Sequence, residues 1–480
     1  MARKLQPIPE DSILNKMKLE NCWWQIGEID SEFGDLPRRL YFDLFFKLIA
    51  EKGPKRAVVL MGPRRVGKTV MMHHAIGKLL KTERIRNTNI AFINVENPLF
   101  LNIPLEELFS MDRKASGNED PKGWYIFFDE IQYLTDWEVH LKVLVDSYPN
   151  TKFIVSGSAA AALKLASTES GAGRFTDFML PPLTFHEYIY LKKLEPLITE
   201  GHLFWNKNKL LFYSTNNIEL LNAHFVDYIN HGGYPEIIFS ERAQRNLGRY
   251  IKSDIIDKVL LRDLPSLYGI QNPQELNRFF TTLAYYTAQE LSLDSLSSTS
   301  GVNKHTLKKY LDYLEAAFLI KQIYKIDDFG KRFERQSSYK VYLTNPSLRS
   351  ALFSPLLATD DAMGHMVENA IFSQWLHREN RVPCYARWNK GEIDMIGINP
   401  KNSKPLWAAE IKWSNSSYKN LSEIKNLISF CEKNNLTETV VTTMDKFEKK
   451  QIGDLSVNYI PSSIYAYNVG VQTIRLRSLE

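Results

Sequence analysis

The chain has few cysteines and no long apolar run. Only three of its 480 residues are cysteine, Cys22, Cys384 and Cys431, and they form neither a disulfide framework nor a CxxC pair. This usage is typical of a reducing compartment. No apolar run approaches the length of a membrane span, and the N-terminal basic residues lack the apolar core of a signal peptide. We therefore expect a cytoplasmic protein without a membrane segment.

Neither sign of charge is in large excess. Lysine and arginine number 60 and aspartate and glutamate 55, so the net charge is +5. This mildly basic balance permits a polyanionic partner such as DNA but does not require one. The apolar content of 44% is ordinary for a globular protein. At roughly 150 residues per domain, the length indicates about three domains.

The strongest motif is a phosphate-binding loop. The apolar run 57–61 is followed by GPRRVGKT at 62–69, which is the G-x-x-x-x-G-K-[ST] pattern between a strand and a helix. The glycines allow a tight turn that points backbone N–H groups at phosphates, the lysine reaches the β- and γ-phosphates, and the threonine hydroxyl binds Mg²⁺. The helix that follows directs its positive end at the same phosphates. The residues predicted to bind ATP here are Gly62, Pro63, Arg64, Arg65, Val66, Gly67, Lys68, Thr69 and Val70.

A second motif predicts hydrolysis. Residues 124–130 read WYIFFDE, an apolar strand that ends in two carboxylates. Asp129 is predicted to hold Mg²⁺ with Thr69, and Glu130 to polarise the attacking water as general base. Together with Lys68, these residues form the predicted catalytic centre of a Mg²⁺-dependent ATPase.

The order of elements predicts an α/β protein of several domains. Alternating strands and helices over 36–190 predict a P-loop domain with a parallel sheet and helices on both faces. Residues 1–35 are expected to be a lead-in that packs on this domain, and 191–225 a helical connection. Residues 226–345 are mostly helical and have the order of a winged helix. Residues 346–480 are predicted to form a nuclease-like α/β domain.

The winged-helix region carries basic residues on its second helix. Lys304, His305, Lys308 and Lys309 could read DNA. The alternative is a protein-packing module in which these side chains form a solvated face. The sequence leaves both open.

A second set of carboxylates lies near the C-terminus. Glu368 is on a predicted amphipathic helix, Asp394 on a strand, and Glu410 and Lys412 on the next strand. Because residues two apart in a strand share a face, the last two point together, near Asp394. Asp394 and Glu410 could hold one or two Mg²⁺ ions while Lys412 activates water or stabilises developing charge. This is the layout of the PD-(D/E)xK restriction-endonuclease-like fold; the alternative is a scaffold that keeps the fold without cutting.

Further motifs are shared with one family. They are the Asn-Cys-Trp-Trp of 21–24, FFDEIQ at 127–132, FIVSGS at 153–158, Gly-Arg-Phe at 173–175, LPPLTFHEY at 180–188 and Gly-Gly-Tyr-Pro at 232–235. With these, nearly the whole chain resembles the bacterial and archaeal AAA-type ATPases that carry a C-terminal domain of unknown function 4143. Cys22 stands where many relatives have proline, which is a minor departure.

The resemblance implies an ATPase core of the AAA/STAND type. Ser156 or Ser158 matches the sensor position, where a polar group touches the γ-phosphate. Arg174 matches a Gly-Arg pair and could act as an arginine finger, in cis or in trans. The alternative for Arg174 is a salt bridge within a loop.

Two functions follow as expectations. In the first, the ATPase cycle drives or licenses a metal-dependent nuclease that acts on DNA, in defence against mobile elements or phage. In the second, ATP toggles a homo-oligomeric signalling switch, and the winged helix and an inactive nuclease fold form a platform for DNA or protein partners.

Overall fold

The chain divides into two units, Met1–Pro181 and Pro182–Glu480. The computed structural model describes residues 9–51, 55–101, 103–158, 173–329, 338–376, 382–388 and 391–477. Within these ranges no helix is both long enough and apolar enough to cross a membrane.

The first unit is built on five parallel strands in the order β2-β3-β4-β1-β5. The interior positions of β1 to β4 are mostly buried apolar side chains, as expected for a parallel sheet covered on both faces, whereas in the edge strand β5 only Phe178 is fully buried. The predicted parallel sheet with helices is confirmed. The strands are β1 Ala57–Met61, β2 Ile90–Asn94, β3 Tyr125–Asp129, β4 Lys152–Gly157 and β5 Phe175–Met179, and the main helices are Glu10–Glu20, Phe42–Ala50, Lys68–Lys81, Leu105–Ser116 and Trp137–Ser147, with short helices at Trp23–Ile26 and Ser31–Gly34.

The N-terminal segment packs on the edge strand β2. The Asn21 side chain accepts a hydrogen bond from the Phe92 N–H at 2.6 Å and donates to the Phe92 carbonyl at 3.0 Å. The indoles of Trp23 and Trp24 both donate to the Ile90 carbonyl, at 3.0 and 2.7 Å. These side chains satisfy backbone groups of a strand that has only one strand neighbour.

The second unit begins with a helix and a β-hairpin. The predicted helical connection over 191–225 is wrong, because β6 (Ile198–Trp205) and β7 (Asn208–Thr215) pair antiparallel there. Asn206 and Lys207, the two residues between them, both have positive φ, at 46° and 64°. This is the backbone of a tight two-residue hairpin turn. Because this segment is rich in lysine and asparagine, the alternation of apolar and polar residues that indicates a strand is weak in its sequence.

A helical region follows and ends in a small sheet with strand order β8-β11-β9. Two helices, Leu293–Ser300 and Lys304–Ala316, precede the paired strands β9 and β11, which is the predicted order of helix, turn, helix and strand pair. That this region is a winged helix stays a prediction, and residues 330–337 lie outside the described ranges. The strands are β8 Glu290–Ser292, β9 Ile320–Ile323 and β11 Ser338–Leu343, and the helices are Phe185–Leu191, Ile218–His231, Pro235–Phe239, Glu241–Gln244, Leu264–Tyr268, Pro273–Tyr285, Leu293–Ser300 and Lys304–Ala316, with π-type stretches at Gly248–Asp257 and Val259–Asp263.

The C-terminal region is a mixed sheet in the order β10-β12-β13-β14-β15-β17-β16. Strands β12, β13 and β14 are antiparallel neighbours, whereas β15 runs parallel to both β14 and β17. One face packs on the helices Met363–Trp375, called here the Glu368 helix, and Ser462–Arg477; the other face packs on Lys425–Lys433. Two short helices lie at Ser347–Leu352 and Ser416–Lys419, and the strands are β10 Lys325–Ile326, β12 Cys384–Trp388, β13 Gly391–Ile398, β14 Pro405–Glu410, β15 Glu438–Thr443, β16 Glu448–Ile452 and β17 Leu455–Pro461.

The small sheet and the large sheet are joined by β10. This strand lies between β9 and β11 in the chain, yet it pairs in parallel with β12 at the edge of the large sheet. A strand from the segment between β9 and β11 therefore belongs to the large sheet, and the helical region and the C-terminal sheet are not separate along the chain.

Candidate functional site

The phosphate-binding loop links β1 to the helix Lys68–Lys81. Gly67 caps this helix with φ 94° and ψ 29°, a left-handed conformation that favours glycine. A Cβ on Gly62 would lie 2.2 Å from the Leu180 carbonyl oxygen, so a larger residue would have to displace backbone. The N–H groups of the first helical turn have no partners within the helix and suit an anion.

Lys68 is buried inside this loop. Its ammonium donates to the carbonyls of Gly62 at 3.1 Å and Pro63 at 3.0 Å. Burial lowers the pKa of Lys68, while the carboxylates of Glu130 and Asp129 act in the opposite direction. Lys68 is thus a partly desolvated cation within the loop, and bound phosphates would favour its protonated form.

The predicted Mg²⁺ ligands are in contact with each other. The Thr69 hydroxyl donates to Asp129 Oδ2 at 2.7 Å, and the Ser156 hydroxyl donates to Asp129 Oδ1. Burial and the neighbouring Glu130 raise the pKa of Asp129, and both hydroxyls oppose this. A hydroxyl and a carboxylate side by side are the hard oxygen donors that Mg²⁺ takes. Ser156 therefore orders the same carboxylate that Thr69 contacts.

Glu130 has an unusual backbone. It adopts the left-handed region with φ 54° and ψ 46°, a conformation uncommon for non-glycine residues and frequent at functional sites. Its N–H donates to the Ser156 hydroxyl at 3.3 Å. The Gln132 amide donates to the Glu130 carboxylate, and its oxygen accepts from the Ser158 N–H at 3.1 Å. Gln132 thus joins the predicted base to the strand that carries the predicted sensor.

Sequence reasoning missed the roles of Gln132 and Arg39. Gln132 is part of the FFDEIQ motif, and its closeness in sequence to Asp129 and Glu130 could have indicated a role beside them. The buried Arg39 guanidinium donates to the Val66 carbonyl at 2.6 Å and the Pro181 carbonyl at 2.9 Å. It fixes the phosphate-binding loop, and no motif marks it.

Arg174 lies away from this loop. The Ala57 N–H donates to the Arg174 carbonyl at 2.9 Å, which places Arg174 level with the start of β1, whereas the loop follows its end. Its side chain forms an exposed ion pair with Asp146 at 3.1 Å. A role for Arg174 as a finger in cis is therefore wrong, because a whole strand separates it from the loop. A role in trans stays a prediction.

The second unit brings together all four predicted carboxylate-site residues. Lys412 donates to Glu410 at 2.7 Å, and Asp394 Oδ2 accepts from the Ile411 N–H at 2.9 Å. Glu368 is placed from the facing helix, and the charge of Asp394 acts on both Glu368 and Glu410. Strand pairing explains the arrangement: β13 and β14 are adjacent and antiparallel, and the Glu368 helix packs on their shared face.

Two residues that the sequence did not indicate complete this cluster. The ammonium of Lys340, on β11, lies 2.7 Å from Glu368, 2.9 Å from Glu392 and 3.7 Å from Asp394. The Tyr342 hydroxyl donates to Glu368 at 2.6 Å. We call this set, with Glu410 and Lys412, the carboxylate cluster.

Burial and mutual repulsion perturb the carboxyl groups. Burial and Asp394 raise the pKa of Glu410 to about 8, and burial raises that of Glu368 to about 7 although Lys340 opposes it. Burial alone would lower the pKa of Lys412, but Glu410 and Asp394 raise it. The cluster therefore carries competing like charges that its two lysines compensate.

The donors of the cluster suit a hard divalent ion, but the arrangement includes an internal cation. Carboxylate oxygens are the ligands that Mg²⁺ prefers, and Glu410 Oε2 is buried without a hydrogen-bond partner. Across the ranges that the structure describes, however, no three histidine, cysteine, aspartate or glutamate side chains are placed to hold one metal ion. Lys340 lies between the carboxylates instead.

The basic residues of the region predicted to be a winged helix are on the surface. Lys304, His305, Lys308 and Lys309 are exposed, and Lys304 pairs with Asp294. This placement fits either DNA contact or a solvated face.

Comparison with known proteins identifies two segments. Residues 54–189 match the AAA domain family, and residues 222–360 match a Domain of unknown function, DUF8612. The predicted resemblance to domain 4143 is thus corrected to DUF8612.

Relatives of known sequence cover most of the chain. An uncharacterized protein of Methanocaldococcus jannaschii is 25% identical over 89% of this chain and 84% of its own. An uncharacterized protein of Haemophilus influenzae is 24% identical over 86% of this chain and 95% of its own.

Solved structures give weaker likenesses. The ORC1 protein of Aeropyrum pernix in complex with DNA has 11% identity and a TM-score of 0.31, covering 66% of this chain and 92% of that one. The ORC2 protein of Aeropyrum pernix in its ADPNP-ADP complexes has 13% identity and a TM-score of 0.36, covering 68% and 93%. Both scores are low, and neither likeness supports an inference about this chain. Residues 54–189 of this protein, with their phosphate-binding loop and paired acidic residues, are therefore similar to the AAA domain family.

Proposed function

We propose that this protein binds ATP with Mg²⁺ and hydrolyses it. The observation that carries the proposal is the contact of Thr69 with Asp129 beside the buried Lys68, at the carboxyl ends of β1 and β3. Thr69 and Asp129 would hold Mg²⁺, which neutralises charge on the phosphates. Lys68 compensates the β- and γ-phosphate oxygens, and Glu130 accepts the proton of the attacking water.

Calorimetric titration with ATP and Mg²⁺, beside phosphate release, tests this proposal. Lys68→Ala should lose ATP affinity and hydrolysis together, because the loop loses its buried cation. Lys78→Ala is a matched control on the same helix, since Lys78 pairs with Asp43 at the surface. Tight ATP binding by the Lys68 variant would overturn the proposal.

We further propose that the C-terminal domain is a metal-dependent nuclease that acts on DNA. The proximity of Glu368, Asp394, Glu410 and Lys412 supports it, as does the enclosed, unpartnered oxygen of Glu410. The Glu368 helix is followed in the chain by the antiparallel strands β12, β13 and β14, and this order supports the proposed PD-(D/E)xK layout of helix, strand, hairpin and strand. Asp394 and Glu410 would hold the metal ion, and Lys412 would stabilise charge on the scissile phosphate.

Plasmid cleavage by the full chain tests this second proposal. The assay uses Mg²⁺ or Mn²⁺, with and without ATP, and compares Asp394→Asn with Asp454→Asn, an exposed aspartate outside the cluster. Cutting that depends on metal and is lost only in the Asp394 variant supports a nuclease, and any dependence on ATP shows what the ATPase controls. Absence of cutting by both the unaltered protein and Lys340→Met, while ATP is hydrolysed, removes the nuclease proposal.

The second candidate is an ATP-driven switch with an inactive nuclease fold. The observation that favours it is Lys340, which already compensates Glu368 and Asp394. In this case the protein would change its oligomeric state with ATP, and the exposed basic helix or the C-terminal domain would bind DNA or a protein. Mass photometry with and without ATP tests the switch, and an ATP-independent mass would contradict it. The role in defence stays a prediction.

A further inference from the structure

One buried lysine is shared by three carboxylates. The Lys340 side chain is 3% exposed, and its ammonium lies 2.7 Å from Glu368, 2.9 Å from Glu392 and 3.7 Å from Asp394. The ring of Tyr385 is also near, 5.7 Å away. Lysine is almost never fully buried unless it is paired. Lys340 is therefore held by Glu368 and Glu392 and lies close to Asp394, one of the two carboxylates that would hold a metal ion.

The lysine comes from a different part of the chain. Glu368, Glu392 and Asp394 belong to the Glu368 helix and to β13, whereas Lys340 lies on β11, in the small sheet and within the segment 222–360 that matches DUF8612. The cation is thus supplied to the C-terminal sheet by the helical region.

Strand β11 is fixed on the Glu368 helix by a buried amide. The Asn369 side chain donates to the Leu343 carbonyl at 3.1 Å and accepts from the Leu343 N–H at 2.8 Å. The Thr287 hydroxyl donates to the same amide oxygen at 2.6 Å, and the Tyr342 hydroxyl donates to Glu368. Because Asn369 and Glu368 are consecutive, this clamp sets the position of Lys340 along the helix. The contact is therefore part of the fold and not a chance approach of a flexible side chain.

The part of the cluster formed by Asp394 and Glu410 has fewer hydrogen bonds than the part around Glu368. Asp394 uses one oxygen for the Ile411 N–H, and Lys412 binds Glu410 Oε1. Glu410 Oε2 is enclosed and has no hydrogen-bond partner. A divalent ion placed between Asp394 and Glu410 would complete this oxygen's coordination, but it would lie beside the Lys340 ammonium and be repelled by it.

We propose that Lys340 is a built-in cation that closes the carboxylate cluster to divalent metal, and that displacement of β11 opens it. This inference rests on the proposed metal site but not on the cleavage reaction. A ligand or a conformational change that moves β11 would then raise metal affinity, which makes the helical region a control element for the C-terminal site.

Mn²⁺ titration of the full chain tests the proposal directly. Removal of the charge in Lys340→Met should make Mn²⁺ bind at least about tenfold more tightly than in the unaltered protein. The gain should disappear in the double variant Lys340→Met with Asp394→Asn. Lys321→Met is the matched control, since Lys321 is on the adjacent strand β9 and pairs with Glu315 away from the cluster. Its Mn²⁺ affinity should not change.

A second variant addresses folding, because loss of Lys340 leaves buried carboxylates uncompensated. Lys340→Gln keeps a hydrogen-bond donor and removes only the charge, and it should show the same gain in Mn²⁺ affinity, while Lys340→Arg should bind as weakly as the unaltered protein. Unchanged affinity in a folded Met or Gln variant would overturn the proposal, and so would a gain that survives loss of Asp394. If Mn²⁺ binding tightens but DNA is never cut, the nuclease proposal fails and this one stands.

Discussion

Replacement of Arg174 by alanine tests whether this arginine stabilises the first unit or takes part in ATP hydrolysis. Its carbonyl pairs with the Ala57 N–H at the start of β1, and the phosphate-binding loop begins after the end of that strand. At about 3.3 Å per residue, the strand separates the two by about 16 Å. The guanidinium is directed at Asp146 instead, at 3.1 Å.

The expected contribution of the Arg174–Asp146 ion pair to stability is small. Both side chains of this ion pair are almost half exposed, at 44% and 48%. Exposed pairs of this kind contribute about 0.2–1 kcal/mol to the free energy of unfolding. An arginine finger, by contrast, contributes a factor of roughly 10³–10⁵ to the rate of hydrolysis. The two roles therefore predict rates of ATP hydrolysis for the alanine variant that differ by orders of magnitude.

The measurement compares Arg174→Ala with Asp146→Ala, its own partner. We expect both variants to hydrolyse ATP within about twofold of the unaltered protein at every protein concentration, and both to lose no more than about 1 kcal/mol of stability. A loss of roughly a hundredfold or more in Arg174→Ala alone would refute the salt-bridge interpretation. It would show that the arginine acts on the nucleotide of another copy.

Three further outcomes are expected. Glu130→Gln should keep ATP affinity within about threefold and lose about 10²–10⁴ in hydrolysis, because the amide cannot accept the proton of water. Asn369→Leu should lower the free energy of unfolding by roughly 2–3 kcal/mol, since it leaves the buried carbonyl of Leu343 unpaired and leaves the Leu343 N–H with only the Thr287 hydroxyl as acceptor; Ser373→Ala on the same helix should cost about 1 kcal/mol. Burial lowers the pKa of His186 from 6.5 to about 4, so the unfolded chain binds more protons and the stability present above pH 6.5 is lost as the pH falls. His186→Phe should recover about 2 kcal/mol of that loss at pH 5 and almost none at pH 7.

Each outcome has a measurement that could contradict it. Single-turnover phosphate release checks the first, and hydrolysis at the normal rate would remove Glu130 from the role of base. Urea unfolding checks the second, and equal losses for the asparagine and serine variants would mean that the clamp contributes nothing specific. Urea unfolding at both pH values checks the third, and a pH-independent difference for the phenylalanine variant would show that His186 does not titrate as inferred.

The proposed ATP site could be predicted because its residues lie at or just after the ends of strands. Lys68 and Thr69 come just after β1, and Asp129 ends β3, so parallel pairing alone brings them to one edge of the sheet. The general pattern of a P-loop domain therefore located these contacts. It could not place Arg174, because a motif gives the residue type but not the end of the strand at which it lies.

The hairpin β6–β7 shows a different limit. Its strands contain polar residues at both inward and outward positions, and much of it is exposed. Hydrophobic periodicity is the main signal for a strand, and it is weak where neither face is deeply buried. The turn at Asn206 and Lys207 was a better indicator than the strands themselves.

Only some members of the carboxylate cluster could be predicted from the sequence. The member that was missed, Lys340, sets the charge of the site. Strand alternation grouped Glu410 and Lys412 near Asp394, and the order of helix and strands added Glu368. Lys340 reaches these carboxylates from a strand of another sheet, and no spacing rule connects that strand to them. The predicted boundary at 345 falls between them. It would separate the ammonium from its three carboxylates, Leu343 from Asn369, and β10 from β12. Because a buried carboxylate without its partner costs several kcal/mol, the C-terminal sheet and β11 must fold as one unit, and the charge state of its site is set by the region that precedes it in the chain.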